Sequence, residues 1–304
     1  MLKSLLIVLG FMLLGIPAQA CNMKKDITRP QIVEYVRDGL ICLDNPPDGF
    51  RFDELIEQAF VDKINAERMK RDLPALDVRP ELLPAARFHS LDMGVNEFFN
   101  HVGLDERRAA QRIAAFDRTM LAQGTGENIA KFGPMRCYDG DDKEVSCFNL
   151  PGYKLPSPAF VADDLHVKLM NSDGHRANIL SEDYTHIAVG VARTDTGFYV
   201  TQVFAKRVGR LQTPLPTVFT ENASMSLAPK ISGWGVGRFI VADPDGTETD
   251  LRSDRLRRVL PGEKKLIVVG QNKSKESRGG KVYERTEWMK LSGPSFTLSS
   301  AKES

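Results

Sequence analysis

The stretch NSDGHRANIL at residues 171–180 places a histidine, His175, after a glycine turn and at the start of an apolar segment. A second histidine, His101, closes the stretch NEFFNH at residues 96–101, where it follows an aromatic pair at the end of a predicted helix. Glu127 lies between them in sequence. Two imidazoles and a carboxylate that converge on a cleft could bind a divalent metal ion such as zinc. Without a metal, they could form a buried hydrogen-bond network, or a general base with its orienting carboxylate.

The residues around these stretches predict helices on both sides of a small antiparallel sheet. Asp53 is a plausible N-cap, and Ile56, Phe60 and Ile64 follow it at four-residue steps, which is typical of one apolar helix face. Further helices are predicted near residues 80–98, 106–116 and 158–170. A loop at 124–130 that leads into a short apolar strand is also predicted, as is a β-hairpin from 187–192 and 198–204. Among the other histidines, His89 is expected to pack in the core, and His166 and His186 to lie on the surface.

Three stretches follow one another along the chain: FFNH at 98–101, GENIA at 126–130 and SDGHRANIL at 172–180. Together and in this order, they resemble the CAP superfamily of cysteine-rich secretory proteins, antigen 5 and pathogenesis-related proteins, in its bacterial SCP-like branch. Further matches follow in the right order at 65–68, 73–76, 89–93, 188–192 and 200–204. The resemblance therefore spans about residues 55–205.

The resemblance implies an α+β fold, a three-layer α-β-α sandwich over residues 53–205, with a cleft lined by two histidines and acidic residues. His101, Glu127 and His175 fall on three of the four cleft positions and are the expected metal ligands, with zinc the expected metal. The fourth position is usually a Glu just after a Trp in the helix before the last stretch. Here Leu169 replaces the Trp, and Ser172 or Asp173 stands where the acid would be. Some members bind divalent ions, others bind sterols or fatty acids, and proteolysis has been proposed for a few, so the fold does not settle the function.

The N-terminus predicts export. Met1 and Lys3 precede an apolar run at residues 5–16, and the small-x-small pattern at 18–20 is typical of a signal-peptide cleavage site. The apolar run is shorter than the roughly 20 residues that a transmembrane helix needs. Residues 1–20 are therefore expected to be a cleaved signal peptide, and the protein to be periplasmic, an outer-membrane lipoprotein or secreted.

The four cysteines suit an oxidising compartment. Cys137 and Cys147 bracket a polar loop and are expected to form a disulfide that closes it. Cys21 would be the first mature residue, where a bacterial lipoprotein carries its lipid, and lipid anchoring is slightly preferred; it would be the only link to a membrane. If Cys21 is not lipidated, a bridge from Cys21 to Cys42 is the alternative.

The remaining segments flank the predicted sandwich. Residues 21–52 are expected to be a leader with a short helix, and residues 206–304 a small β-rich domain behind a proline linker. The net charge of +1 argues against a nucleic-acid binder. Residues from 205 onward are basic by 7 and the rest of the chain is acidic by 6. A solvated basic face is the preferred interpretation, and a surface for anionic lipid or cell-wall polymer is the alternative.

The sequence thus predicts an extracytoplasmic CAP-domain protein whose cleft binds a divalent cation or a small ligand, lipids included. A metal- or His-assisted hydrolase of peptide or cell-envelope substrates is the first alternative, and a non-catalytic scaffold is the second. No nucleophile-elbow pattern surrounds Ser90 or Ser172. Because the fourth cleft acid is also missing, binding is preferred over catalysis.

Overall fold

The structure is a computed structural model. Capping residues mark several of its helices, and alternating apolar residues mark its central strands. It describes residues 20–23, 29–133, 136–141, 143–147, 150, 152–154, 156–221, 223–251, 255–256, 259–278 and 281–300. The predicted signal peptide, except for Ala20, lies outside these residues. The helices are α1 (Ile32–Asp44), α2 (Glu54–Met69), α3 (Leu83–Val95), α4 (Ala109–Phe116), α5 (Pro158–Met170) and α6 (Asp173–Ile179), with a 3-10 turn at Pro80–Leu82. No helix in the described ranges has both the length and the apolar composition needed to cross a membrane.

The strands join into one large, mostly antiparallel sheet. Its main path runs in the order β1, β6, β7, β3, β13, β12, β10, β11, while β2 pairs with β6, β8 with β13, and β9 with β7; β4 and β5 form a separate pair. The bounds are β1 (Arg51–Phe52), β2 (Asp77–Val78), β3 (Met120–Phe132), β4 (Arg136–Tyr138), β5 (Glu144–Ser146), β6 (His186–Arg193), β7 (Phe198–Leu211), β8 (Val218–Thr220), β9 (Pro229–Ile231), β10 (Gly235–Ala242), β11 (Glu248–Leu251), β12 (Gly262–Arg278) and β13 (Lys281–Ser299).

Alternate residues of β6 and β7 point to opposite faces, and each face is covered by helices. Ile187, Val189 and Val191 share one core with α2, α5 and α6. Ala188 and Val203 share the other core with α1, α3 and α4. The chain is therefore an α+β protein with a helix-sheet-helix sandwich, as the sequence predicts.

Several predicted elements are confirmed. The Asp53 side chain accepts a hydrogen bond from the backbone N–H of Ile56 and so caps α2. The predicted helix at 158–170 is α5, and the predicted hairpin is β6–β7 with a turn closed by Thr194 N–H to Gly197 O. The predicted loop at 124–130 is wrong, because these residues continue β3 and pair with β7 throughout, Glu127 opposite Val203 among them.

The segments that flank the sandwich join the same structure. In the predicted leader, α1 buries Ile32 and Val36 in the core that it shares with α3 and α4. In the C-terminal segment, β13 meets β3 at Ser292 and Ala122, which extends the sheet into a β-rich region with its own core. Arg29 also donates to Glu263 of β12 at 2.8 Å, which ties the N-terminal segment to the C-terminal one.

All four cysteines are in disulfides. The predicted Cys137–Cys147 bridge is present. The second bridge joins Cys21 to Cys42. Lipid attachment would use the same Cys21 sulfur that this bridge uses, so the preference for a lipid anchor at Cys21 is incompatible with the structure, and the alternative pairing is the one that forms.

Candidate functional site

His101 and Glu127, which the sequence singles out, are in direct contact. Glu127 lies on β3 and is buried, whereas His101 follows the end of α3 and its side chain is half exposed. The His101 Nδ1 atom is 2.9 Å from Glu127 Oε1. An ionised carboxylate can only accept, so Nδ1 carries the hydrogen and Nε2 is left with a free lone pair.

Arg112 of α4 fixes the other side of Glu127. Its Nη2 donates to Glu127 Oε2 at 2.6 Å and to the His101 carbonyl at 3.0 Å, and its Nη1 donates to the Arg107 carbonyl at 2.5 Å. The Arg112 and Glu127 side chains are 2% and 3% exposed, so this is a buried ion pair. Burial raises the pKa of Glu127, but the hydrogen bond from His101 and the charge of Arg112 outweigh burial, and the pKa lies below its usual value. Glu127 is therefore ionised at neutral pH.

His89 of α3 supports the loop that carries His101. It is fully buried, and its Nε2 is 2.9 Å from the carbonyl oxygen of Asn100. Burial lowers the pKa of His89 to about 3, with a further contribution from the charge of Arg112. His89 is thus a neutral donor that positions Asn100 and, through it, His101. The prediction that His89 packs in the core is confirmed.

His175 lies in the first turn of α6, and β3 holds that helix in place. Asn128 Nδ2 donates to the His175 carbonyl at 3.1 Å, and Asn178 Nδ2 donates to the Glu127 carbonyl at 3.1 Å. Burial lowers the pKa of His175, and repulsion from His101 lowers it further whenever the His101 ring is protonated. The two imidazoles therefore interact electrostatically. A Cβ at Gly126 would overlap the Tyr184 hydroxyl, so a larger residue there would force that side chain to shift.

The cleft offers a metal ion two nitrogen donors, one from His101 and one from His175. Among the described residues, no three His, Cys, Asp or Glu side chains form a group that could hold a metal ion. Glu127 has both oxygens engaged, a position typical of a carboxylate that orients a ligating histidine. Asp173 is no fourth acid, because its carboxylate accepts from Arg176 at 2.5 Å and is 94% exposed. The free Nε2 of His101 and the ring of His175 remain as donors, with other coordination positions left to water or a ligand.

The sequence does not indicate a role for Arg112, and the burial of His166 differs from the prediction. Nothing in the sequence around Arg112 marks it, since it stands in an Arg- and Ala-rich helix. The prediction that His166 lies on the surface is wrong, because His166 is among the buried residues of α5. Ser90 is no nucleophile, since its hydroxyl is buried and bonded to the Gly190 carbonyl and the Thr201 hydroxyl.

Comparison with known proteins identifies the segment that carries these residues. Residues 61–204 match the family model described as CAP: Cysteine-rich secretory protein family. The chain is 31% identical over 148 residues to "Uncharacterized protein YkwD" of Bacillus subtilis (strain 168), which covers 49% of this chain and 46% of the relative. It is 32% identical over 151 residues to "Uncharacterized membrane protein YlbC" of the same organism, covering 50% and 34%. The chain thus spans less than half the length of the curated relatives it matches.

Two solved structures are similar to about half of the chain. An outer surface protein from Borrelia burgdorferi superposes with a TM-score of 0.39 at 17% identity, covering 52% of this chain and 98% of that one. An extracellular protein containing a SCP domain from Bacillus anthracis strain Ames superposes with a TM-score of 0.38 at 25% identity, covering 51% and 41%.

Proposed function

Because residues 61–204 of this chain are a CAP domain, we propose that the protein is exported and that its cleft binds a divalent metal ion through His101 and His175. The contact that supports this most directly is the 2.9 Å hydrogen bond from His101 Nδ1 to Glu127. It fixes the tautomer and the direction of the ring, and leaves Nε2 as the donor atom. Zinc is the ion that two neutral imidazoles with open coordination positions suit best.

The chain's own residues prepare this donor pair at neutral pH. Arg112 keeps Glu127 ionised, so Glu127 holds the Nδ1–H of His101 and raises the basicity of its Nε2. The pKa of His175 lies below its ordinary value, chiefly because of burial, so its ring is neutral and free to bind. When bound, the ion would supply a Lewis acid with exchangeable positions.

Isothermal titration with zinc chloride at pH 7.5 tests the proposal. We expect His101→Ala/His175→Ala to lower the affinity at least 100-fold. Glu127→Gln, which removes the carboxylate that orients His101 and pairs with Arg112, should lower it about 10- to 100-fold. The matched control is His186→Ala, a partly buried histidine on β6 that hydrogen-bonds Thr185, and it should stay within two-fold of wild type. No uptake by the wild type, or equal uptake by the wild type and the double variant, would contradict the proposal.

A hydrolase is the second candidate, because a half-exposed imidazole held by a buried carboxylate is also the arrangement of a general base. A screen against peptides, esters and peptidoglycan fragments addresses it. Hydrolysis that disappears in Glu127→Gln and in His101→Ala would favour this function. Hydrolysis that survives the loss of both cleft histidines would exclude the cleft as its site.

Export without a lipid anchor is supported by the two disulfides, which persist in oxidising compartments. Intact-mass spectrometry of the protein made in a host with signal peptidase tests this part. A mature chain that begins at Cys21 without an added lipid is the expected product. A mass increase that matches a diacylglyceryl group would contradict it.

A further inference from the structure

A second concave space, the α1 chamber, lies between α1, α3 and the segment around Cys21. Its volume is about 440 Å³, which is within the range of small-molecule sites. His101, Glu127 and His175 do not line it. The lining is mixed: the rings of Tyr35 and Phe88, packed edge to face at 5.3 Å, lie among polar side chains that include Arg37 and three carboxylates. The chamber is therefore a separate cavity from the cleft.

Three carboxylates line the chamber, and only one of them has no cationic partner. Asp38 is bonded to Arg37 at 2.7 Å, and Asp105 to Arg107 at 2.5 Å. Asp92 of α3 forms no salt bridge within the described part of the chain, and its Oδ1 accepts only the amide of Asn96, at 2.7 Å.

The charges around Asp92 leave its ionised form poorly compensated. Burial raises the pKa of Asp92 to about 6; the Asn96 amide lowers it, the charge of Asp105 raises it and Arg112 lowers it. A carboxylate in such a place is stabilised by a cation that enters the cavity, because the cation replaces the hydration that burial removes. The chamber thus combines two aromatic rings with one carboxylate, Asp92, that has no cationic partner in the described part of the chain.

We propose that the α1 chamber binds an organic ammonium group, with Asp92 as its counter-ion. Two sources could supply this group. One is a free small amine with an aromatic body that can pack against Tyr35 and Phe88. The other is the chain itself: Ala20 and Asn22 line the chamber, and the bond to Cys42 holds Cys21 beside it, so cleavage after Ala20 would place the new α-ammonium of Cys21 at its edge.

The first arm of the test uses the mature chain with both disulfides intact. Phenethylammonium chloride is the probe, and its binding is measured by titration calorimetry at pH 7.5. The neutral control ligand is 2-phenylethanol, which has nearly the same shape. If a free amine is the source, the amine binds at least ten-fold more tightly than the alcohol. Asp92→Asn removes that advantage, and the matched control Asp62→Asn, an exposed residue on α2 bonded to Gln58, keeps it.

The second arm asks whether the α-ammonium of Cys21 fills the chamber. In that case the wild type binds no added amine, and the pKa of its α-amino group lies above the ordinary value of about 7.7–8.0. Acetylation of that group then shifts the unfolding equilibrium at least ten-fold in the wild type but not in Asp92→Asn. Binding of the alcohol as tightly as the amine overturns the proposal, as does amine binding that Asp92→Asn leaves unchanged. The absence of both amine binding and coupling between Cys21 and Asp92 overturns it too.

Discussion

The Arg112–Glu127 ion pair is the contact on which the geometry of the cleft depends, and Arg112→Met removes it while keeping most of the side-chain length. The variant loses the 2.6 Å bond to Glu127 and two bonds to backbone carbonyls, those of His101 and Arg107. Removal of one partner of a buried pair costs about 3–5 kcal/mol, and each lost carbonyl bond about 1 kcal/mol. We expect a loss of about 5 kcal/mol, a large part of the ~5–15 kcal/mol that stabilises a typical protein.

Urea unfolding at pH 7 measures this loss. Arg112→Met/Glu127→Gln should be more stable than the single variant, because no unpaired carboxylate then remains buried. The control is Arg71→Met, whose Arg is 44% exposed and pairs with Glu67, and it should cost less than about 1 kcal/mol. A value for Arg112→Met within about 1 kcal/mol of wild type would refute the reasoning, as would a double variant no more stable than the single one.

Three further predictions use the same unfolding assay. Burial lowers the pKa of His89 to about 3, so as the pH falls below 6.5 the imidazole is protonated in the unfolded state but not in the folded one. The free energy of unfolding of the wild type should therefore fall by about 1.4 kcal/mol per pH unit relative to that of His89→Gln between about pH 6 and 4. Equal slopes for the two proteins would contradict this. Serine at both Cys21 and Cys42 reopens a loop of sequence separation 21 and should cost about 3 kcal/mol, whereas a loss below about 1 kcal/mol would show that the bridge constrains little. Gly190→Ala places a Cβ against the α3 backbone at Arg87 and should lower the free energy of unfolding by about 3 kcal/mol or more. Gly124→Ala, with open space around its Cβ, should lower it far less, and equal losses would rule out this explanation.

The parts of the fold that carry local signals could be predicted from the sequence. The bounds of α5 follow from Ser157 as N-cap and Pro158 in the first turn, and α2 follows from Asp53 and its apolar stripe. The stretch at 124–130 could not, because Gly124 and Gly126 suggest a loop. Its strand conformation depends on pairing with β7, a contact distant in sequence that no local pattern encodes.

The candidate site divides in the same way. His101, Glu127 and His175 could be found, because their stretches resemble a family in sequence and in order. Arg112 could not, since it reaches Glu127 only after α4 packs against β3. The α1 chamber could not be found either, because it needs α1 from the predicted leader to pack on α3.

Arg112 links the two proposed sites, and this link has a measurable consequence. Its guanidinium is bonded to Glu127 in the cleft, and its charge also lowers the pKa of Asp92 in the chamber. A cation bound beside Asp92 and a metal ion bound at the cleft histidines would each add positive charge to a region that already holds Arg112. Each should therefore weaken the binding of the other, and by the same factor, because coupling between binding sites is reciprocal.

If a free amine is the chamber's ligand, zinc titrations with and without saturating phenethylammonium should show a loss of zinc affinity of about five-fold, equivalent to about 1 kcal/mol of coupling. Asp92→Asn should abolish the effect of the amine. A zinc affinity that the amine leaves unchanged or raises would show that the two sites are not coupled through this charge.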